Sequence, residues 1–329
     1  MEANEQSAPG GPGSKPVVCF LGPTSSYTHQ ATTSAFPADQ FTLMPVTTIN
    51  DIFATTQSGD ATYGVVPFEN STNGSVVFTL DNFADRSGAY KDLNVCREIY
   101  LDVHHCLVGH AAPLPSSTSP PAPHPISRLR RVYSHPQAFG QCLLFLESQL
   151  RGVEMIDVSS TSRAAQLAKD DPTGESAAVS SAMAAEKLGI DVLVRNIEDR
   201  QDNTTRFFVV RRGTEPSSAL QRADVDAGAD DAKLLSATKS LLSFTVPHRS
   251  PGKLADVLAC FQRGGLNLTS ISSRPSFAAA FEYIFFVEFE GHRFRDPQGR
   301  VARVLDDVAA IARTSRWLGS WDNMRQTSA

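Results

Sequence analysis

Hydroxyls, amides, one carboxyl and one guanidinium recur in this chain where apolar runs give way to turns. Thr204, Thr205 and Arg206 head the run "TTRFFVV", directly after the turn-forming pair Asp202-Asn203. Glu69, Asn70, Ser71 and Thr72 follow "ATYGVVPF", and Ser25 and Ser26 follow "VVCFLGP". Ser134, His135 and Gln137 stand in "YSHPQAF", and Thr161 and Ser162 in "SSTSRAAQL". Groups of this kind at a helix start either cap the helix or hold a carboxylate, through charge-assisted hydrogen bonds and the helix dipole. No serine or cysteine has a nucleophile-elbow context, no glycine-rich phosphate loop occurs, and no His/Cys/carboxylate set has metal spacing. The expected site uses no cofactor and no metal, and each patch adds to what the others suggest.

The elements that carry these groups read as repeated strand–helix units. "FTLMPV", "INDIFATTQSG" and "ATYGVVPF" give strand, helix and strand, with Gly59 near the helix end. "LNVCREIYLDVHHCLVG" reads as extended chain crossing into a second lobe. Further pairs follow: "RVYS" with "PQAFGQCLLFLESQL", "VEMIDV" with "TSRAAQLAKD", and "SAAVSS" with "AMAAEKLGI". Mostly parallel sheets covered by helices are therefore expected. Residues 1–15 are Gly/Pro/Ser-rich and expected to be disordered, "PLPSSTSPPAPHP" is expected to be a surface loop, and 213–236 a linker. Past it, "LLSFTV", the helical spacing of Leu254, Val257, Leu258 and Phe261, "LNLTSIS", "FEYIFFVEFE", a helix through Val301–Ala312 and an edge strand "RWLGSW" spell βαββαβ, the ferredoxin-like order.

A length of 329 residues with 41% hydrophobic content suits two domains, or three if one is small. The net charge of −5 and the absence of a dense Lys/Arg stripe argue against nucleic acid, and no apolar run suits a membrane span. The start lacks the order of a signal peptide, so cytoplasm is the expected location. The five cysteines are scattered without C-x-x-C spacing and read as buried free thiols.

"FLGPTSSYTHQA", "GVVPFENSTNGSV", "YSHPQAFGQC", "TSRAAQLA" and "NTTRFFVV", in this order, resemble the motifs of prephenate dehydratases, and "SPGKLADVL" with "LNLTSISSRPS" resembles the phenylalanine-sensing ACT domain that accompanies them. The likeness spans about residues 16 to 320. It implies an α/β fold: a two-lobed catalytic domain similar to type II periplasmic binding proteins over 16–212, then a ferredoxin-like ACT domain over 237–322. Lobe 1 takes about 16–100 plus 196–212, and lobe 2 about 101–195. It also implies conversion of prephenate to phenylpyruvate, carbon dioxide and water for phenylalanine synthesis, with feedback by phenylalanine and a homodimer or homotetramer. The same elimination on arogenate, or a non-catalytic amino-acid sensor, are the alternatives. The short segment ahead of the first motif has no room for the chorismate mutase fused to some relatives, so a single activity is expected.

Prephenate is a dianion whose ring aromatises as carbon dioxide and the opposite hydroxyl leave, so the protein must orient it and help the hydroxyl depart. The resemblance assigns Thr205 as hydrogen-bond donor to that oxygen, Asn70 and Gln137 to orientation, and Glu69 as proton source if burial raises its pKa. Ser26, Ser71, Thr161 and Ser162 would hold carboxylates, with Arg206 and Phe207 also expected against substrate. Strand geometry adds that Thr205 and Phe207 share one face and Thr204 and Arg206 the other, so a regular strand leaves Arg206 as an ion-pair partner or a cleft-edge charge. Phenylalanine is expected between ACT domains, against Gly252, Leu254, Asn267, Leu268, Ser273, Arg274 and Pro275. Two departures stand out: serine at 25 where the family often has glycine, and Ser272 and Lys253 in place of the usual Glu and Ala of the effector motifs.

Overall fold

The computed structural model describes residues 15–111, 126–213, 231–247 and 249–325. The expected disordered start, the Pro-rich insertion and most of the expected linker lie outside these residues. The first lobe runs β1 (Val17–Leu21), α1 (Tyr27–Ala35), β2 (Thr42–Val46), α2 (Ile49–Ser58), β3 (Tyr63–Asn70), β4 (Gly74–Ser75), α3 (Val77–Ala84) and β5 (Leu93–Asp102). The chain then builds β6 (Cys106–Gly109), β7 (Arg131–Ser134), α4 (Pro136–Gly140), α5 (Leu143–Gln149), β8 (Glu154–Asp157), α6 (Thr161–Asp170), β9 (Ser176–Ser180), α7 (Ala182–Leu188) and β10 (Asp191–Val194). It returns as β11 (Thr204–Arg212), and after α8 (Asp231–Ser236) completes β12 (Thr238–Thr245), α9 (Lys253–Arg263), β13 (Leu268–Pro275), β14 (Tyr283–Glu290), α10 (Arg300–Ile311) and β15 (Thr314–Asp322). The end of the expected linker is thus a helical turn and a half.

Local chemistry accounts for the element limits. Thr48 and Asp51 form a reciprocal capping box at the start of α2, and Gly59 ends it in the left-handed region at φ 92. In the first lobe the order is β2-β1-β3-β11-β5, with the returning strand inserted antiparallel between β3 and β5. β11 is buried on both faces: Phe207 and Val209 pack with Phe20, Phe36 and Ile99, while Phe208 and Val210 pack with Phe53, Phe83 and Trp321. The second lobe has the order β10-β6-β9-β7-β8 around its own core. The C-terminal βαββαβ unit has the order β13-β14-β12-β15, with Val257, Phe261, Val304 and Val308 turning both helices onto one face.

β15 is not the edge strand expected from "RWLGSW". It pairs with β12 on one side and meets β5 on the other, through the parallel pair Gly319 and Val95, so the C-terminal unit and the first lobe share one ten-stranded sheet. The approach depends on a residue without Cβ, because a methyl at 319 would lie 2.1 Å from the Val95 carbonyl oxygen.

Candidate active site

Two crossings join the lobes, residues 103–105 and 195–203, and they are bonded to each other. The Val103 N–H donates to the Asn203 carbonyl at 2.7 Å, and Ile197 N–H to His105 O at 2.9 Å. Buried Glu198 accepts from the His105 N–H (2.9 Å) and pairs with His104 Nδ1 (2.8 Å).

At the end of this hinge a chain of side-chain hydrogen bonds has a defined polarity. The backbone N–H groups of Thr72 and Asn73 donate to Asn70 Oδ1 at 3.0 and 2.9 Å, which turns Asn70 Nδ2 inward. That amide donates to Thr205 Oγ1 at 3.0 Å and to Asn203 Oδ1 at 2.8 Å. Thr205 Oγ1 therefore accepts from Asn70 and keeps its own proton for another acceptor. Asn203 Nδ2 donates in turn to Gln141 Oε1 (2.9 Å), which also lies 2.7 Å from His105 Nε2. Burial, the main cause, lowers the His105 pKa, and with Nε2 donating to Gln141 the Tyr27 hydroxyl proton is shared between His105 Nδ1 at 2.8 Å and the His104 carbonyl oxygen at 3.0 Å. The Gln141 carbonyl is thereby doubly engaged, while no hydrogen bond among the described residues uses its Nε2, and Gln141 lines a cavity of ≈ 110 Å³ with Thr72, Asn203 and Arg200.

The expected residues divide. Thr205 and Asn70 are brought together, whereas Glu69 lies on the other side of the strand. Between β11 and β3 the register shifts by one residue, Arg206 facing Glu69 but Phe207 facing Pro67, with Phe68 left over. The shift turns Asn70 to Thr205 and Glu69 to Arg206, whose Nη1 is 3.9 Å from Glu69 Oε2. Arg206, expected against substrate, is instead buried on the face away from Thr205: it packs over Phe208 at 4.8 Å and pairs with Glu98 at 2.9 Å and with Glu288. Phe207 is enclosed in the core against α1. Gln137 is exposed in the first turn of α4, and its side chain has no hydrogen bond among the described residues; the glutamine at the hinge is Gln141, one turn on.

Two of the expected carboxylate-binding hydroxyls are already engaged. Ser26 Oγ caps α1 at the His29 N–H and donates to Leu21 O, and Ser71 Oγ donates to Asp202 O and accepts from the Thr204 N–H. Thr161 opens α6 behind the cap Ser160, and buried Ser162 Oγ has no hydrogen-bond partner among the described residues. Ser162 lines a cavity of ≈ 450 Å³ between the lobes, with Thr24 and Ser25 on one side and Arg163, Gln166 and Lys187 on the other. Burial and then the Lys187 charge hold His29 below its ordinary pKa; its Nδ1 accepts from the Ser25 N–H at 3.3 Å, and the Lys187 ammonium lies 3.3 Å from the same nitrogen and 3.5 Å from Nε2. The cleft thus offers two cations and an uncommitted buried hydroxyl, a setting for a carboxylate.

Residues 18–215 match the family model for prephenate dehydratase. The chain belongs to the prephenate dehydratase family. It is 34% identical over 92% of its length to the bifunctional chorismate mutase/prephenate dehydratase of Aquifex aeolicus, of which it covers 73%. A prephenate dehydratase from Arthrobacter aurescens, solved in complex with L-Phe, is 28% identical with a TM-score of 0.76, over 93% of this chain and 90% of that one. GqqA, described as a novel type of quorum quenching acylase, is 27% identical with a TM-score of 0.70, over 93% of this chain and 97% of its own.

In this dehydratase the residues expected to meet phenylalanine fall into two groups. Gly252 starts α9 at φ 81, Leu254 is in its first turn, and Asn267, Leu268 and Ser273 are exposed on or beside the outermost strand β13. Arg274 and Pro275 instead tie that strand to the first lobe: Arg274 grips Asp81 of α3 through two bonds of 3.0 Å, and Arg86 donates to the Pro275 carbonyl. Arg274 is thus engaged with α3 and Pro275 with Arg86 just beyond it, which sets both apart from the exposed group.

Two substitutions test this geometry. Asn70→Asp keeps the shape but replaces the Nδ2 donor by an acceptor, so the Thr205 proton turns inward; turnover should fall by about 10²-fold with KM less affected. Ser25, the departure from the family's glycine, is buried at φ 79. Relieving that left-handed strain outweighs the extra chain entropy of glycine, so Ser25→Gly should stabilise the protein by about 0.5–1 kcal/mol in urea unfolding.

Proposed function

We propose that this prephenate dehydratase works at the hinge, with Thr205 donating a hydrogen bond to the departing ring hydroxyl. The observation that supports this is the Asn70 amide, whose orientation makes Thr205 Oγ1 an acceptor and leaves its proton without an acceptor among the described residues. Gln141 Nε2 is the second donor, which orients the substrate in place of Gln137. Asn70 acts through Thr205. An alcohol is too weak an acid to surrender its proton, so Thr205 stabilises developing charge on the oxygen, which takes up one proton from solvent water as it leaves. The electron pair of the breaking bond to the ring carboxylate enters the ring as the carbon–oxygen bond breaks, releasing carbon dioxide and water and leaving the ring aromatic. Ser162, with Arg163 and Lys187 nearby, holds a carboxylate, and the N–H groups opening α6 at Thr161 add to it.

Phenylalanine acts as effector at Gly252, Leu254, Asn267, Leu268 and Ser273, in a site completed by a second copy of the chain. The outer strand β13 supports this, because it leaves one backbone edge unpaired among the described residues and exposes Leu268 and Ile271. The unit is then a homodimer at least, in the cytoplasm. The test is phenylpyruvate formation from prephenate by the purified protein, with and without millimolar phenylalanine, alongside light scattering. Rapid formation damped by phenylalanine is expected; turnover of arogenate alone, or of neither compound, would overturn the substrate assignment.

A further inference from the structure

The face of β11 opposite Thr205 carries a charge cluster that the dehydration chemistry leaves unused. Arg206 and Lys239 meet Glu98 and Glu288 there, and all four are nearly inaccessible to solvent. Glu98 comes from β5 beside β11, but Lys239 and Glu288 come from β12 and β14 of the C-terminal unit. Thr269 of β13 donates to Glu288 Oε1 at 2.8 Å, and Lys239 lies 3.4 Å from the same oxygen. Burial alone would raise the Glu288 pKa, yet Arg206 and then Lys239 hold it below the usual carboxylate range. Buried ions demand near-complete pairing, so the cluster resists displacement of any member.

Its position makes it consequential. Arg206 follows Thr205 directly, at the point where the β3 ladder is interrupted by the register shift at Phe68. The ladder is interrupted there on the β3 side while the β5 side runs on from Thr204 to Val209, so the Arg206 side chain adds an anchor on the flank where the backbone pairing breaks. We infer that Glu288 of the C-terminal unit is a positioning residue for the dehydration, holding Arg206 and thereby the start of β11 on which Thr205 is aimed. This rests on Thr205 as the donor.

The experiment compares Glu288→Gln with Arg316→Met. Arg316 also ties the C-terminal unit to the first lobe, through the Tyr90 and Leu93 carbonyls, but touches no residue of β11 in these bonds. Glu288→Gln should lower kcat for prephenate about 10-fold with KM within about twofold, because a small displacement at the reacting group is costly. Amide exchange in the peptide covering 203–208, read by mass spectrometry, should accelerate. Arg316→Met should lower Tm without either change. Equal kcat loss in the two variants at equal Tm loss, or unaltered exchange at 203–208, would overturn the inference. Should Glu288→Gln not fold, Glu288→Asp keeps the charge one methylene short, and a wild-type kcat and exchange pattern in it would count equally against the idea. The exchange measurement stands whatever the substrate, so a wild type inactive on prephenate would reveal a failure of the functional reading instead.

Discussion

Replacing Thr205 by valine should leave a folded protein that turns over prephenate about 10²- to 10⁴-fold more slowly, the range for a lost proton donor or hydrogen-bond catalyst. Valine is β-branched and suits the strand, so the ladder to Asn70 and Leu101 is retained. Asn70 Nδ2 loses one acceptor but keeps Asn203 Oδ1, which limits the structural cost. What disappears is the proton facing the substrate. Thr205→Ser restores the hydroxyl on a less constrained rotor and should recover part of the rate. The rate of phenylpyruvate formation, with thermal unfolding beside it, decides the matter: near-normal turnover by the valine variant would remove Thr205 from the chemistry.

Gly319→Ala should be the more damaging change to stability, by about 2–4 kcal/mol. The added methyl would sit 2.1 Å from the Val95 oxygen, 2.7 Å from its nitrogen and 2.9 Å from its carbonyl carbon, all backbone atoms that no rotamer can move aside. The φ of 137 adds strain for any residue with a Cβ. Gly59→Ala separates the two effects, since it has positive φ with nothing within 4 Å of the new methyl, and should cost about 1 kcal/mol. Thermal melts of the three proteins test this: equal losses at 59 and 319 would show that the close approach to β5 contributes nothing.

The separation of Thr205 from Arg206 was legible in "TTRFFVV", because alternation puts neighbours on opposite faces and both aromatic faces of the strand are buried. The fate of Glu69 was not. Alternation through Val66 and Phe68 says nothing of the single extra residue that swaps Glu69 and Asn70 between faces, since a bulge depends on the partner strand. Gln141 stood inside "YSHPQAFGQC", but choosing it over Gln137 needs to know that α4 stops at Gly140 and turns the next residue to the hinge. Hydroxyl-rich helix starts were ambiguous for a plain reason: Ser26 is spent on a cap and Ser162 is free, and the two types look alike in sequence. Of the partners of Arg206, Glu98 lies on the neighbouring β5, but Glu288 lies 82 residues away on β14, with three strands between them in the sheet order, beyond any local pattern.

Lobes that open to admit a ligand turn about their crossings, and displacement grows with distance from that axis. Asn203 and His105 are themselves residues of the two crossings, and Gln141 and Thr205 bond to this pair directly or through Asn70. Ser25 and Ser162 sit on opposing walls of the cleft, out on the jaws. With the roles proposed above, opening would part the groups that hold a carboxylate while those that meet the departing oxygen stay near the pivot, so that an incoming substrate would find its donors already aligned.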